Sequence, residues 1–229
     1  ANTTGTANVA MGRNALQANT TADNNTAVGY LALTANTTGT NLVAVGRSAL
    51  ASNTTGTSNT AVGRDTLNQQ TTASYNTALG HQALNLNSSG SSNTASGFKA
   101  LYANTTGHSN VAFGANSLQP NTTGSQNTGL GKGALASNTT ASNNTAVGFE
   151  SLVSNTTGHS NTAVGSLAGD AITTGGNNTV LGYAALSGDT LGARSVAIGV
   201  GALQVQNFTS STDVYNTAVG TLAGAAVTT

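Results

Sequence analysis

Thirteen near-copies of the segment Asn161-Thr162-Ala163-Val164-Gly165 follow one another along this 229-residue chain. From Gly12 to Gly199 each closing glycine is followed by the next after 17 residues, and a thirteenth copy closes at Gly220 after 21 residues. We call this glycine position 0 and number the other positions of the turn from it. A repeat that covers a whole chain stacks in one dimension instead of surrounding a single core. The sequence predicts one continuous repeat region over residues 1–229, with a lateral loop insertion at about 204–215.

The residues before the glycine have the composition of a β-strand. Position −3 is always Thr or Val, position −2 is Ala in eleven of thirteen copies, and position −1 is apolar except at Ser96. Short β-branched runs that end at glycine are typical of strands. A 17-residue period is also shorter than the helix-containing repeats, which begin at about 20 residues. We expect an all-β parallel β-solenoid (β-roll) of about 13 turns, with two or three short strands per turn, stacked about 4.8 Å apart.

A second strand is expected after the glycine, because position +3 is small and position +4 is leucine in eleven turns. Two turns instead carry leucine at +2, at Leu167 and Leu222, and we interpret them as turns in which this leucine has moved. The segment Asn36-Thr37-Thr38-Gly39 and its copies then form a bend, since Asn and Gly tolerate left-handed backbone conformations. Asn-x-Thr sequons in this bend are expected to be exposed enough to carry sugars. They lie at Asn19, Asn36, Asn53, Asn104, Asn121, Asn138 and Asn155.

Both faces of the predicted strand lack charge. Neighbouring strand residues point to opposite faces, so −3 and −1 share one face while −4, −2 and 0 share the other. This pattern is typical of a strand that is covered on both sides. One buried Val and one buried Leu per turn give a lone solenoid little stabilisation, and we therefore expect a homo-oligomer.

Position −4 is asparagine in all but two copies, which hold Leu42 and Ser195. Identical amides in successive turns can form a hydrogen-bonded ladder. The alternative is that asparagine suits the bend by which the chain enters the strand. The predicted ladder comprises Asn8, Asn25, Asn59, Asn76, Asn93, Asn110, Asn127, Asn144, Asn161, Asn178 and Asn216.

The segment Ser195–Ala202, which reads Ser-Val-Ala-Ile-Gly-Val-Gly-Ala, resembles the head repeat of trimeric autotransporter adhesins of the YadA type. The commoner form, Asn-Thr-Ala-Val-Gly followed later by Asn-Thr-Thr-Gly, is similar to repeats of phage tail fibres and related bacterial surface proteins. The resemblance covers essentially the whole chain, although the adhesin repeat lacks the Asn-Thr-Thr segment. It implies a left-handed solenoid, association of three chains along a common axis, and an extracellular, cell-surface or virion location.

The composition argues against several functional classes. Six basic and six acidic residues cancel, so the chain has no basic footprint for nucleic acid and no charged amphipathic surface for membrane insertion. There is no cysteine, which excludes disulfides and thiolate metal sites. His108 and His159 are three turns apart, His81 occupies another position, and the acids share no column in adjacent turns. We predict no metal site, no cofactor and no enzymatic activity.

The residue directly after the glycine, at +1, varies from turn to turn, whereas the motif that ends at the glycine is nearly constant. It includes three of the four arginines and four of the nine aromatic residues. A stripe of cations and aromatics suits sugars or partner surfaces. The alternative is an exposed corner that tolerates large side chains. The candidate binding residues are Arg13, Tyr30, Arg47, Arg64, His81, Phe98, Lys132, Phe149 and Tyr183.

These observations predict a structural and adhesive extracellular fibre protein, either a phage tail fibre or a bacterial surface fibre segment. Neither end of the chain carries a polar cap, so we expect a piece of a longer fibre or a subunit that stacks head-to-tail into a filament. Its partners would be further copies, three in all, and a host-surface glycan or protein receptor. The alternatives are an ice-binding solenoid that uses threonine columns at −3, +8 and +9, and a lectin-like rod that uses the +1 stripe.

Overall fold

The computed structural model describes residues 2–208, 210 and 212–227, and it consists of strands and turns without a helix in that part of the chain. The chain forms two compact units, residues 1–110 and 111–229. The first unit contains β1 Val9–Met11, β2 Thr26–Val28, β3 Val43–Val45, β4 Thr60–Val62, β5 Thr77–Leu79 and β6 Thr94–Ser96. The second contains β7 Val111–Phe113, β8 Thr128–Leu130, β9 Thr145–Val147, β10 Thr162–Val164, β11 Thr179–Leu181, β12 Gly192–Ala193, β13 Val196–Ile198, β14 Thr212–Asp213 and β15 Thr217–Val219.

Within each unit, every repeat contributes one three-residue strand that pairs in parallel with the strand of the next repeat. The register follows the 17-residue period, so that Thr60 pairs with Thr77 and Ala61 with Ala78. In the second unit β10 lies between β9 and β11, and β13 pairs with β11 and β15. The prediction of an all-β parallel β-solenoid with 17-residue turns is confirmed.

The core of each turn is formed by the leucine at +4 and the alanine at −2. Leu50, Leu84 and Leu135 are completely buried, and so are Ala44 and Ala78. The strand therefore points −2 inward and −3 and −1 outward. The sequence-based expectation of a buried valine at −1 is wrong for the single chain, because this residue lies on the opposite face from the leucine core.

The predicted second strand at +3 and +4 is also wrong. The residues from +1 to +6 form a turn in which both +2 and +4 have positive φ, for example 55° at Ser48 and 50° at Leu50. Left-handed residues at alternate positions cannot belong to an extended strand. The turn is nevertheless bonded to its neighbours, since the backbone N–H of Leu50 donates to the carbonyl oxygen of Thr66 in the next turn at 3.0 Å. Most turns thus have one strand instead of the two or three expected, and only the turns that contain β12 and β14 have a second short strand among the described residues.

The glycine at position 0 is required by both backbone conformation and space. Gly46 has a φ of 133°, which L-residues rarely adopt, and a Cβ atom there would lie 2.5 Å from the carbonyl oxygen of Gly63 in the next turn. The corner therefore stacks backbone on backbone.

The two turns with leucine at +2 differ from the interpretation drawn from sequence. Leu167 is only half-buried and Leu222 is exposed, whereas Ile172 at +7 is completely buried. Position +4 of the first of these turns is Gly169, and a Cβ atom there would lie 3.0 Å from Cδ1 of Ile172. The leucine has not moved within the core. The volume that leucine fills at +4 in other turns is supplied instead by Ile172 at +7, three residues after Gly169.

The insertion adds a small second sheet beside the repeat. β12 and β14 pair in parallel, with Gly192 opposite Thr212 and Ala193 opposite Asp213. The Nε atom of Arg194 forms an ion pair with Oδ2 of Asp213 at 2.9 Å. Gln206 is buried and continues column +7, while Thr209 and Ser211 of the predicted loop lie outside the described residues.

Candidate functional site: the outward columns

The outward face of the sheet consists of the −3 and −1 columns. Position −3 presents threonine methyl and hydroxyl groups with occasional valines, and position −1 presents large apolar side chains. Several of these are half exposed or more, such as Leu79 at 51% and Phe113 at 58%. The exposed large apolar residues of the −1 column are Met11, Leu79, Phe113, Leu130, Leu181 and Val219.

The +1 column lies directly after the corner glycine, and most of its side chains are exposed. Its backbone is held in most turns, because the carbonyl oxygen of the +1 residue accepts a hydrogen bond from the +2 N–H of the following turn. These bonds include Ser48 to Tyr30 at 2.8 Å and Asp65 to Arg47 at 2.9 Å. Of the candidate binding residues, His81 is half-buried, and Arg13, Tyr30, Arg47, Arg64, Phe98, Lys132, Phe149 and Tyr183 are exposed.

Cations and aromatic rings contact each other along the +1 column. The guanidinium carbon of Arg13 lies 6.0 Å from the ring centre of Tyr30, and Nζ of Lys132 lies 5.6 Å from the ring centre of Phe149. The rings of His81 and Phe98 have centres 5.6 Å apart. These distances allow cation–π and tilted aromatic contacts between adjacent turns. The column is therefore an ordered row of neighbouring side chains.

The asparagine column at −4 is buried and hydrogen-bonded from turn to turn, but not through amide-to-amide bonds. Oδ1 of Asn59 accepts from the backbone N–H of Asn76 at 2.9 Å, and Nδ2 of Asn59 donates to the carbonyl oxygen of Ala73 at 2.9 Å. The same pair of bonds recurs at Asn76, Asn144 and Asn161. Each of these side chains joins one turn to the backbone of the next.

An amide-to-amide ladder exists at +7, where the sequence had suggested only a bend. Nδ2 of Asn53 donates to Oδ1 of Asn36 at 2.9 Å, and Nδ2 of Asn104 donates to Oδ1 of Asn87 at 2.8 Å. Each amide also donates to a carbonyl three residues ahead, as Asn36 does to Gly39 at 2.9 Å. The restriction of +7 to amide residues in almost every turn was the signal that would have revealed this ladder.

The seven sequon asparagines that were expected to be exposed all belong to this buried +7 column. Asn19, Asn36, Asn53, Asn104, Asn121, Asn138 and Asn155 each have no exposed surface. The expectation that they are accessible to glycosylation is therefore wrong for the folded chain. The exposed part of the bend is its second threonine, as in Thr38 and Thr55.

The titratable groups are scattered. His108 and His159 are exposed, and the described residues contain no group of three or more His, Asp or Glu that could hold a metal ion. Hydrogen bonds from the backbone and hydroxyl of Thr6 lower the pKa of Asp23. Burial, with a smaller contribution from Glu150, raises the pKa of Asp170.

The described part of the chain forms no pocket and has no helix that could span a membrane. Any recognition by these residues would accordingly involve open surfaces, of which the outward sheet face and the +1 column are the most distinctive. Comparisons with protein-family models, curated proteins and solved structures found no match for this chain.

Proposed function

We propose that this chain is a structural and adhesive extracellular fibre segment whose copies associate through the outward sheet face. The observation that carries the proposal is the exposure of the −1 column, where Leu79, Phe113 and Leu181 present roughly half of their surface to solvent. Parallel sheets are normally covered on both faces. A contiguous exposed apolar stripe on a solenoid is a typical interface for another chain.

A second copy of the same chain is the occupant that this face favours. The stripe carries no charged residue at −3 or −1, and its chemistry is the same at successive turns. Copies arranged around a common axis would therefore bring valine, leucine and threonine columns against one another over many turns. The resemblance to YadA-type heads and tail fibres supports a trimer of left-handed solenoids on a virion or cell surface, and the 17-residue period supports one continuous repeat over residues 1–229.

The molar mass in solution tests this association. We expect a mass of three times 22.3 kDa by light scattering coupled to size-exclusion chromatography. The variant Leu79→Asp/Phe113→Asp should be monomeric, because it places charges on the proposed interface. The control variant Thr38→Asp, in the exposed bend, should keep the wild-type mass. A wild-type monomer at micromolar concentration would refute the proposal.

Ice binding is the second candidate, and one observation favours it. The −3 threonines lie in register on adjacent parallel strands, with Thr145 opposite Thr162 and Thr162 opposite Thr179, at a spacing of about 4.8 Å. The +8 column is a weaker candidate, because hydroxyls such as that of Thr54 already donate to the backbone of the next turn. Thermal hysteresis by a monomeric protein would support ice binding, and its absence would eliminate this function.

A further inference from the structure

We propose that the first unit binds an extended acidic polysaccharide along a cationic row formed by Arg13, Tyr30, Arg47, Arg64, Phe98 and Lys99. This proposal deepens the adhesive part of the proposed function, and it names the chemistry of the ligand: a chain of sugar rings that carries carboxylate or sulfate groups. It does not depend on how many copies of the solenoid associate.

The charges of the first unit are concentrated in this row. All four Lys and Arg residues of the first 110 positions lie at +1 or +2, at Arg13, Arg47, Arg64 and Lys99. The unit has only two acids. The row consequently presents positive charge on one side of the turn.

Neither acid neutralises the whole row. Asp23 lies at +11, where its Oδ1 accepts hydrogen bonds from the backbone N–H and hydroxyl of Thr6 at 2.6 and 3.0 Å. Asp65 pairs only with Arg64, through Nε and Oδ2 at 3.0 Å. Within residues 2–110, Arg13, Arg47 and Lys99 form no ion pair. Three exposed or half-exposed cations remain available to an anionic ligand.

The spacing of these cations is set by the fold. Because the +1 carbonyl of Arg13, Tyr30, Arg47 and Arg64 is bonded to the next turn, +1 residues of adjacent turns are about 4.8 Å apart. Arg13 and Arg47 are two turns apart, or about 10 Å, and Tyr30 lies between them. At the other end of the row, Nζ of Lys99 lies 5.4 Å from the ring centres of both Phe98 and Tyr102. A cation, an aromatic ring and a second cation therefore follow one another at Arg13, Tyr30 and Arg47.

An acidic polysaccharide fits this alternation. Guanidinium groups form paired, charge-assisted hydrogen bonds with carboxylates and sulfates. An aromatic ring offers a flat apolar surface against which the C–H face of a sugar ring can pack. A sugar ring spans about the length of one turn, so a linear chain with a charge on every second ring would match Arg13, Tyr30 and Arg47.

A nucleic acid fits less well, because its charge density is much higher. Duplex DNA carries one negative charge per about 1.7 Å of its axis, whereas the unpaired cations of the row are separated by two or more turns. Strong binding of single strands also relies on a positively charged groove that follows the backbone. The described residues form no pocket along this row.

The second unit provides an internal comparison. Its +1 column has only one cation, Lys132, which lies over Phe149. Its other cation, Arg194, is paired with Asp213, and the unit carries four acids. Arg194 is accordingly an exposed cation outside both the cationic row and the +1 column.

The test uses the full chain and immobilised heparin, a sulfated uronic-acid polysaccharide, in biolayer interferometry at about 50 mM NaCl. The triple variant Arg13→Gln/Arg47→Gln/Lys99→Gln should weaken binding by about tenfold or more, since it removes the three unpaired cations. Tyr30→Ala should weaken binding by about fivefold through loss of the ring surface. The control Arg194→Gln, at an exposed cation outside the +1 column, should bind as the wild type does. Raising the salt to about 200 mM should weaken wild-type binding.

Five outcomes would overturn the proposal: no heparin binding by the wild type, equal binding to neutral dextran, unchanged binding by the triple variant, an equal loss in Arg194→Gln, or tighter binding of single-stranded oligothymidine than of heparin. The last would assign the row to nucleic acid. The +1 position accommodates Ala, Ser and Thr in other turns, so the triple variant should keep its fold and molar mass. A wild-type monomer that binds heparin, with weaker binding by the triple variant, would refute the proposed association and leave this inference standing.

Discussion

Two adjacent turns of the second unit fill the same interior in different ways. In residues 148–164 the core holds Leu152 at +4, and the amide of Asn155 occupies +7. In residues 165–181 the corresponding positions are Gly169 and Ile172, and Ile172 is completely buried. Both positions point into one interior, so the apolar volume can come from either of them. The last turn repeats the residue pattern, with Gly224 at +4 and Val227 at +7, but Val227 is exposed there.

The exchange has a polar consequence. Ile172 interrupts the +7 amide ladder, and Oδ1 of Asn155 is left buried without a hydrogen-bond partner. On the other side of the interruption, Oδ2 of Asp189 accepts from Nε2 of Gln206 at 2.7 Å, so the column resumes with a carboxylate as acceptor. The comparison shows that filling the core matters more to a turn than continuing the ladder.

The largest expected difference in the free energy of unfolding is between variants of Leu152 and Leu167. Leu152→Ala should lower the free energy of unfolding by about 2–5 kcal/mol, because it leaves a cavity in the core. Leu167→Ala should cost about 1 kcal/mol, since this side chain is only half-buried. Urea denaturation followed by circular dichroism measures both. Equal losses would show that the leucine at +2 is a core residue after all.

Converting the variant turn toward the standard one tests the exchange directly. Gly169→Leu should destabilise by about 1–3 kcal/mol through overpacking, because a Cβ atom there already meets Ile172 and Leu152 at 3.0 and 3.1 Å. Adding Ile172→Ala should recover part of this loss, since it vacates the space that the new leucine needs. Backbone conformation is no obstacle, as Gly169 has a φ of 60° and Leu152 one of 51°. Additive effects in the double-mutant cycle would contradict the exchange.

The interruption of the +7 amide ladder predicts a smaller difference in stability, between variants of Asn138 and Asn155. Asn138 donates to Oδ1 of Asn121 at 2.9 Å and accepts from Asn155 at 3.1 Å. Removing Asn155 eliminates its own unsatisfied Oδ1 but takes the donor away from Oδ1 of Asn138. Removing Asn138 takes the donor away from Oδ1 of Asn121 and leaves the unsatisfied Oδ1 of Asn155 in place. Asn138→Ala should therefore cost about 1 kcal/mol more than Asn155→Ala in the free energy of unfolding. The same denaturation experiment measures both variants, and a reversed order would show that the unpaired oxygen carries no penalty.

The smallest effect concerns Asp170, at +5 of the variant turn. Its pKa is raised by burial and, less strongly, by Glu150, so ionisation at neutral pH opposes folding. The sign follows from linkage: as pH falls through the folded-state pKa, the native state takes up a proton, and this penalty is relieved. Asp170→Asn should stabilise the protein at pH 7 by a few tenths of a kcal/mol, because the group is partly exposed and screened.

Thermal denaturation at several pH values, with wild type and Asp170→Asn side by side, measures this difference. The advantage of the variant should disappear below the ordinary aspartate pKa of 3.8. An advantage that grows toward low pH would contradict the assigned direction of the shift.

Sequence patterns predicted the strand, its register and the leucine core, because each of these repeats with the period. The same patterns predicted a second strand after the glycine, where a small residue at +3 is followed by leucine at +4, and this prediction was wrong. Leu50 and its counterparts adopt left-handed φ there, and the favourable inter-turn hydrogen bonds of this turn cannot be read from residue types. The sequence also did not distinguish the hydrogen bonding of the two asparagine columns, since asparagine recurs with the same period at −4 and at +7. Only the structure shows that −4 bonds to backbone and +7 to the next amide.

The candidate binding residues were predictable as a variable column, and the structure places most of them in the exposed row after the corner. Their pairing could not be predicted. The contacts of Arg13 with Tyr30 and of Lys99 with Phe98 depend on side-chain directions at adjacent turns. Arg47 likewise has no ion pair within residues 2–110 because Asp65 pairs with Arg64 instead.

The sequence by itself determined which residues are equivalent, since an exact 17-residue period places position n of each turn beside position n of the next. It also required glycine at the corner, where backbone stacks on backbone. The tertiary structure decided which strand face is the inside. Both faces are uncharged, so alternation alone does not identify the inside, and the larger apolar residues at −1 favoured the wrong face for the single chain. The leucine at +4 determines which face is the inside, because the left-handed turn packs this leucine onto the −2 alanines and leaves the −1 side chains facing solvent.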